Sequence, residues 1–91
     1  MQLVTIIMPY YKKIEYVGNA INSITQQTYQ NYELLIVYDD PNENDLSKLK
    51  EIISNNKKIK IIKNTKNLGA GFSRNIGIKN SNGEILSFID A

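Results

Sequence analysis

Ninety-one residues, 42% of them apolar, suffice for one small core, so the chain is one domain or part of one. Eleven basic and nine acidic residues are interspersed and leave a net charge of only +2, which offers no basic stripe and argues against a nucleic-acid partner. With no Cys and no His, disulfides, thiolate nucleophiles, imidazole bases and the usual zinc sites are excluded; chemistry falls to carboxylates, Lys, Arg, Tyr, hydroxyls or a bound cation.

Leu3 to Met8 is a continuous apolar, β-branched run closed by Pro9, the pattern of a strand covered on both faces in a parallel sheet. It has no charged leader or cleavage site and is far shorter than the roughly 20 residues of a spanning helix. A cytoplasmic location with no transmembrane segment in this chain is the expectation. Ile14, Val17, Ala20, Ile21 and Ile24 then recur at helical spacing, fading at Gln26-Gln27-Thr28. Tyr32 to Tyr38 reads as a second buried strand, and Asp39-Asp40 follows it.

Pro41-Asn42-Glu43-Asn44 is a turn, with Asn44 or Asp45 as cap of a helix whose buried stripe is Leu46, Leu49, Ile52 and Ile53. Ile59-Lys60-Ile61-Ile62 is a short, partly alternating strand suited to the edge of a sheet. Asn67 to Gly71 is a flexible loop, and a third helix runs from Phe72 to Lys79 before Asn80-Ser81-Asn82-Gly83 stops it. Ile85 to Ile89 reads as a fourth, buried strand that delivers Asp90 at its tip.

Strand and helix alternate throughout, which predicts a three-layer α/β/α fold with a mostly parallel sheet. Ligands of such sheets bind beyond the carboxyl ends of the strands, where strand order reverses. Pro9-Tyr10-Tyr11, Asp39-Asp40 and Asp90 all follow strand ends, and an order of 3-2-1-4 would line one crevice with them.

Each candidate has a plainer reading beside its functional one. Asp39-Asp40 offers an acceptor for a base N–H or ribose hydroxyls, with one carboxylate facing the crevice and the other capping the turn into Pro41; a simple Asx turn is the alternative. Asp90 is either a cation or ribose ligand or a turn residue. Tyr10 or Tyr11 supplies a face for a base to stack on, or packs the strand-to-helix turn. Arg74, close to the Gly69-x-Gly71 pair, suits diphosphate charge or a solvated surface. The glycine pair lacks the third glycine of a dinucleotide fingerprint and the ending of a P-loop.

In order along the chain, Val4-Thr5-Ile6-Ile7-Met8-Pro9-Tyr10-Tyr11, Ala20 to Tyr29, Tyr32 to Asp40, Asn67-Leu68-Gly69 with Ser73-Arg74-Asn75, and Gly83 to Ala91 resemble the N-terminal half of the family 2 inverting glycosyltransferases. That resemblance implies the nucleotide-diphospho-sugar transferase (GT-A) fold, truncated, with residues 1–91 as the nucleotide-binding half of a single domain and the acceptor half absent. It implies transfer from a nucleoside-diphosphate sugar, usually a UDP-sugar, to an acceptor hydroxyl on a glycan, lipid-linked or protein acceptor. The setting would be polysaccharide or glycoconjugate biosynthesis, with the full-length protein peripheral at the inner face of the membrane. By position, Pro9 and Tyr11 resemble the base-contacting turn, Asp40 the carboxylate that recognises the base, and Asn67 and Arg74 residues on the nucleotide side. Asp90 is similar to the first acid of an Asp-x-Asp motif for Mn²⁺ or Mg²⁺. The catalytic base is expected beyond residue 91, so the segment alone should be inactive.

Two departures stand out. Pro41-Asn42 replaces the usual Gly-Ser after the acidic pair, and Tyr11-Lys12 stands where the first aromatic is usually followed by Asn. Two other classes also place acids at strand ends or suit a chain of this size: a non-catalytic nucleotide- or protein-binding α/β module, and a phospho-accepting receiver domain. The receiver would need an acidic pair after the first strand, where this chain has Pro9-Tyr10-Tyr11.

Overall fold

The computed structural model describes residues 2–90. Seven elements follow one another: β1 (Val4–Tyr10), α1 (Ile14–Thr25), β2 (Tyr32–Tyr38), α2 (Leu46–Ile53), β3 (Ile59–Lys63), α3 (Ala70–Lys79) and β4 (Ile85–Phe88). The four strands form one parallel sheet in the order β3-β2-β1-β4. This is the expected three-layer arrangement with the expected strand order.

Period-2 alternation sorts the two central strands between the layers. Ile6, Met8 and Tyr10 of β1 and Leu34, Ile36 and Tyr38 of β2 point one way, where they pack with Val17, Ile21 and Ile24 of α1 and Leu49 and Ile53 of α2. The intervening residues face α3, which packs over β1 and β2. Gly77 makes the close approach possible there, since a Cβ on it would lie 2.5 Å from the Ile7 side chain. The helical stripes match the spacing read from sequence, except that Ile52 is exposed.

The edges differ from each other. β3 carries Lys60 and Lys63 among its isoleucines, the charged pattern that suits an edge strand. The sequence predicts a buried β4, but Ile85, Leu86 and Phe88 are all exposed, because among the described residues β4 pairs only with β1 and α3 lies over the neighbouring strands. Its apolar composition matches a strand covered on both sides, an environment the described residues do not supply.

At the amino-terminal end of the sheet, a buried carboxylate ties β1, β2 and the α3–β4 turn together. Glu33 accepts from the Thr5 hydroxyl at 2.6 Å, from the Asn82 backbone N–H at 2.6 Å and from Asn82 Nδ2 at 3.1 Å. Thr5 Oγ1 in turn accepts from the Gly83 N–H at 2.8 Å. Among the described residues, no helix is long and apolar enough to cross a membrane.

Candidate donor-binding site

Parallel pairing brings the carboxyl ends of β1, β2 and β4 to one rim. Because β4 lies on the far side of β1 from β2, strand order reverses at β1, the place where a crevice opens in such sheets. A cavity of about 340 Å³ sits there, lined by Pro9, Tyr10, Tyr11, Lys13, Asp39, Ala70 and Asp90. That volume lies at the lower end of the roughly 300–1,000 Å³ of small-molecule sites.

The acidic pair splits as alternation requires. Asp39 lines the cavity although it is buried at 2% exposure, and it is held from three directions. Its Oδ1 accepts from Asn64 Nδ2 at 3.0 Å and from the Leu68 N–H at 2.7 Å; its Oδ2 accepts from the Gly69 N–H at 2.9 Å. A carboxylate has about four acceptor positions. One is left, on Oδ2. Asp40 does not line this cavity: its Oδ1 accepts from the Asn42 N–H at 2.9 Å in an Asx turn, and it borders a separate pocket of about 180 Å³ with Lys12, Asn42, Asn44 and Asp45.

The two tyrosines also part. The Tyr10 side chain is fully buried, stacked on Tyr38 with centroids 5.3 Å apart, and its hydroxyl donates to Asp45 Oδ2 at 2.8 Å. Burial, reinforced by the Asp45 carboxylate, pushes the Tyr10 phenol well above its ordinary pKa, so it stays a neutral donor. Tyr10 borders the cavity, but its ring is packed in the core. Tyr11 is 44% exposed at the cavity, with Lys12 Nζ 5.2 Å from its ring centroid. Asp45 precedes α2 but makes no side-chain cap, since Tyr10 takes its carboxylate instead.

Of the other expected residues, Pro9 and Asp90 line the cavity, while Asn67 and Arg74 hold the rim without lining it. Asn67 Nδ2 donates to the Asp39 backbone carbonyl at 3.0 Å, pinning the loop before α3. Arg74 Nη2 lies 3.7 Å from Asp90 Oδ1, an exposed ion pair of the kind worth at most about 1 kcal/mol. Asp90 reaches the cavity with its side chain largely in solvent. As a hard-cation ligand it would supply one carboxylate, and among the described residues no group of three or more His, Cys, Asp or Glu could hold a metal. Asp90 fits as one contributor, with other oxygen ligands required.

Lys13, Ala70, Asn64 and Ser73 were not anticipated. Lys13 reaches the cavity from the turn before α1, and Ala70 from the first position of α3. Asn64 had a signal: it follows the edge strand at the same rim, and pairing of β2 with β3 sets it beside Asp39.

Comparison with known proteins agrees with this geometry. Residues 5–91 match the family model described as glycosyl transferase family 2. An uncharacterized glycosyltransferase of Rickettsia conorii is 39% identical over 88 residues, which cover 97% of this chain and 14% of that protein. The UDP-Glc:alpha-D-GlcNAc-diphosphoundecaprenol beta-1,3-glucosyltransferase WfgD of Escherichia coli is 36% identical over 89 residues, 98% of this chain and 34% of that protein. Among solved structures, TarS 1–349 of S. aureus in complex with UDP-GlcNAc superposes with a TM-score of 0.85 at 26% identity, over 99% of this chain and 26% of that one. The mannosyltransferase PcManGT of Pyrobaculum calidifontis, in complex with GDP-Man and Mn²⁺, gives 0.86 at 20% identity, a likeness of fold, over 96% of this chain and 26% of that one. The chain thus spans a minor share of the length of the proteins it matches. It belongs to glycosyl transferase family 2.

Proposed function

We propose that residues 1–91 are the donor-binding half of a glycosyltransferase domain that transfers a sugar from a UDP-sugar to an acceptor hydroxyl with inversion. The observation that carries this reading is the Asp39 carboxylate, buried among three donors with one acceptor position left at a cavity that Tyr11 also lines. A single remaining acceptor matches the single imide N–H of uracil. Guanine presents neighbouring N1–H and N2–H donors and would need two. We therefore take Asp39, not Asp40, as the carboxylate for the base, and Tyr11, not Tyr10, as the stacking face.

The diphosphate would lie towards the first turn of α3 at Ala70, where the helix has no acidic residue to oppose an anion and the free N–H groups favour one. Asp90 would contribute one ligand to a divalent cation, Mn²⁺ or Mg²⁺, that also takes diphosphate oxygens. Such a cation, when bound, neutralises charge on the leaving diphosphate. In the reaction the acceptor oxygen bonds to the anomeric carbon as the bond to the diphosphate breaks, and a carboxylate base that we place outside this segment takes the proton.

The exposed apolar residues of β4 support a larger domain in which that strand is covered, and the segment alone would be inactive. A glycan, lipid-linked or protein acceptor at the inner face of the membrane, in polysaccharide or glycoconjugate assembly, is the setting we propose. The relative WfgD, whose name gives a diphosphoundecaprenol-linked acceptor, supports the lipid-linked case.

Calorimetric titration of the full-length protein with UDP and GDP, with and without Mn²⁺, tests the reading. UDP should bind more tightly than GDP, and Asp39→Asn should weaken UDP by about tenfold or more, the cost of a lost charged hydrogen bond. Asp40→Asn should leave UDP affinity within about twofold. Equal loss in both variants, or none in either, would remove Asp39 from the base site.

A further inference from the structure

Asn64 is buried at 6% exposure just beyond β3 and does not line the cavity. Its backbone N–H extends the sheet ladder to the Tyr38 carbonyl at 2.9 Å, which fixes its position against β2. Its side-chain Nδ2 donates to Asp39 Oδ1 at 3.0 Å and lies 3.3 Å from Ser73 Oγ, a fully buried hydroxyl on α3. Asp39 is acceptor-only when ionised, so the nitrogen of the Asn64 amide must face it.

The other two donors to Asp39 are the Leu68 and Gly69 N–H groups, in the loop before α3. That loop is itself held by Asp39, through both its carboxylate and its carbonyl. A carboxylate turns easily about its last torsion, which is broad and roughly two-fold. Of its three donors, only the Asn64 amide comes from a residue anchored in the sheet ladder. Without it, the loop and the carboxylate could rotate together.

We propose that Asn64 is a positioning residue for nucleobase recognition: it holds Asp39 Oδ1 inward so that the one unfilled acceptor position, on Oδ2, is presented to the cavity. The inference rests on the donor-binding reading above. It assigns selectivity for a single-donor base over a two-donor base to a residue that touches neither. Ser73, the second partner of the amide, fixes its plane from the helix side.

The test compares UDP, N3-methyl-UDP and GDP by calorimetry on the full-length protein and on Asn64→Leu, a change that keeps the branched shape of the side chain and removes the donor. In the parent, N3-methyl-UDP, which lacks the imide proton, should bind about tenfold or more weaker than UDP. In Asn64→Leu that ratio should shrink by about fivefold or more, with the UDP-to-GDP preference shrinking alongside. A general loss of stability would weaken all three ligands in proportion, and an unchanged ratio would overturn the proposal. A parent that binds UDP and N3-methyl-UDP equally would instead sink the base-binding role of Asp39, and the positioning role with it. Should Asn64→Leu fail to fold, the Asn64 side-chain amide resonances of the parent decide: a shift with UDP but not with N3-methyl-UDP supports the proposal, and no shift with UDP overturns it.

Discussion

The Gly69 N–H donates to Asp39 Oδ2 at 2.9 Å across 30 residues of sequence, and Gly69 adopts φ 90° as it does so. The two features are linked: the left-handed backbone turns the chain into α3 while aiming the amide at the carboxylate. A side chain at this position meets no neighbour within 4 Å, so the obstacle to substitution is the backbone conformation alone. Gly69→Ala should therefore cost about 1–3 kcal/mol of stability. It should also weaken UDP more than a remote variant of equal stability, because relaxing φ withdraws a donor from Asp39. Paired denaturant and calorimetric titrations would separate the two effects.

Tyr10 and Tyr11 are neighbours in sequence with opposite environments, and their variants should behave oppositely. Tyr11→Ala removes an exposed ring at the cavity; UDP affinity should fall by the roughly 1–3 kcal/mol of a base–aromatic stack, with the thermal midpoint almost unmoved. Tyr10→Phe keeps the ring packed on Tyr38 but deprives Asp45 of its donor. Its midpoint should drop, by about 0.5–1.5 kcal/mol in stability, with UDP affinity little changed. Fluorescence-monitored melting and nucleotide titration of both variants would check the pair.

Much of this was legible in the residues, for reasons of periodicity. Central strands buried on both faces are mainly apolar, so β1 and β2 announced themselves, and the short, partly alternating run of β3 marked an edge. β4 read as buried because its composition reflects a covered strand, while cover depends on residues other than its own. At the site, alternation predicted that one of Asp39 and Asp40 would face the crevice but not which. That choice depends on the strand end: Tyr38 closes β2 facing the α1 and α2 side, which turns Asp39 to the other. The expected strand order set the end of β3 beside that of β2, a signal for Asn64, but joining Ser73 to Asn64 required the seat of α3, a long-range fact.

Gly83 is closely enclosed at the amino-terminal end of the sheet. A Cβ on it would lie 2.5 Å from Thr5 Oγ1, 2.6 Å from the Thr5 nitrogen and 2.8 Å from the Leu3 carbonyl. Two of those atoms are backbone in or beside β1, so no rotamer change can make room. Gly83→Ala should cost about 1–3 kcal/mol or more. Hydrogen exchange should show the β1–β4 pairing loosened first, since Glu84 and Ile85 both donate to the Leu3 carbonyl next to this contact.

Glu33 should give the protein an acid-sensitive clasp. Burial by itself would raise its carboxyl pKa, but the hydrogen bonds from Thr5 and from the Asn82 backbone and side chain, with the charge of Lys60, outweigh burial and hold it below the usual carboxylate range. A carboxyl whose folded pKa is depressed contributes stability that is fully present above its unfolded value, about 4.5, and is lost as pH falls through the folded value. The parent should thus lose stability as pH drops below about 5, in part through this group. Glu33→Gln keeps the shape but presents an amide where Thr5 and Asn82 both donate, so one donor loses its acceptor. Its stability at pH 7 should be lower by about 1–3 kcal/mol, and the gap to the parent should narrow as pH falls towards 3. Denaturant titrations of both proteins at pH 7, 5, 4 and 3 would read this directly; a gap that stayed constant with pH would show that Glu33 is not an ionised partner in the folded state.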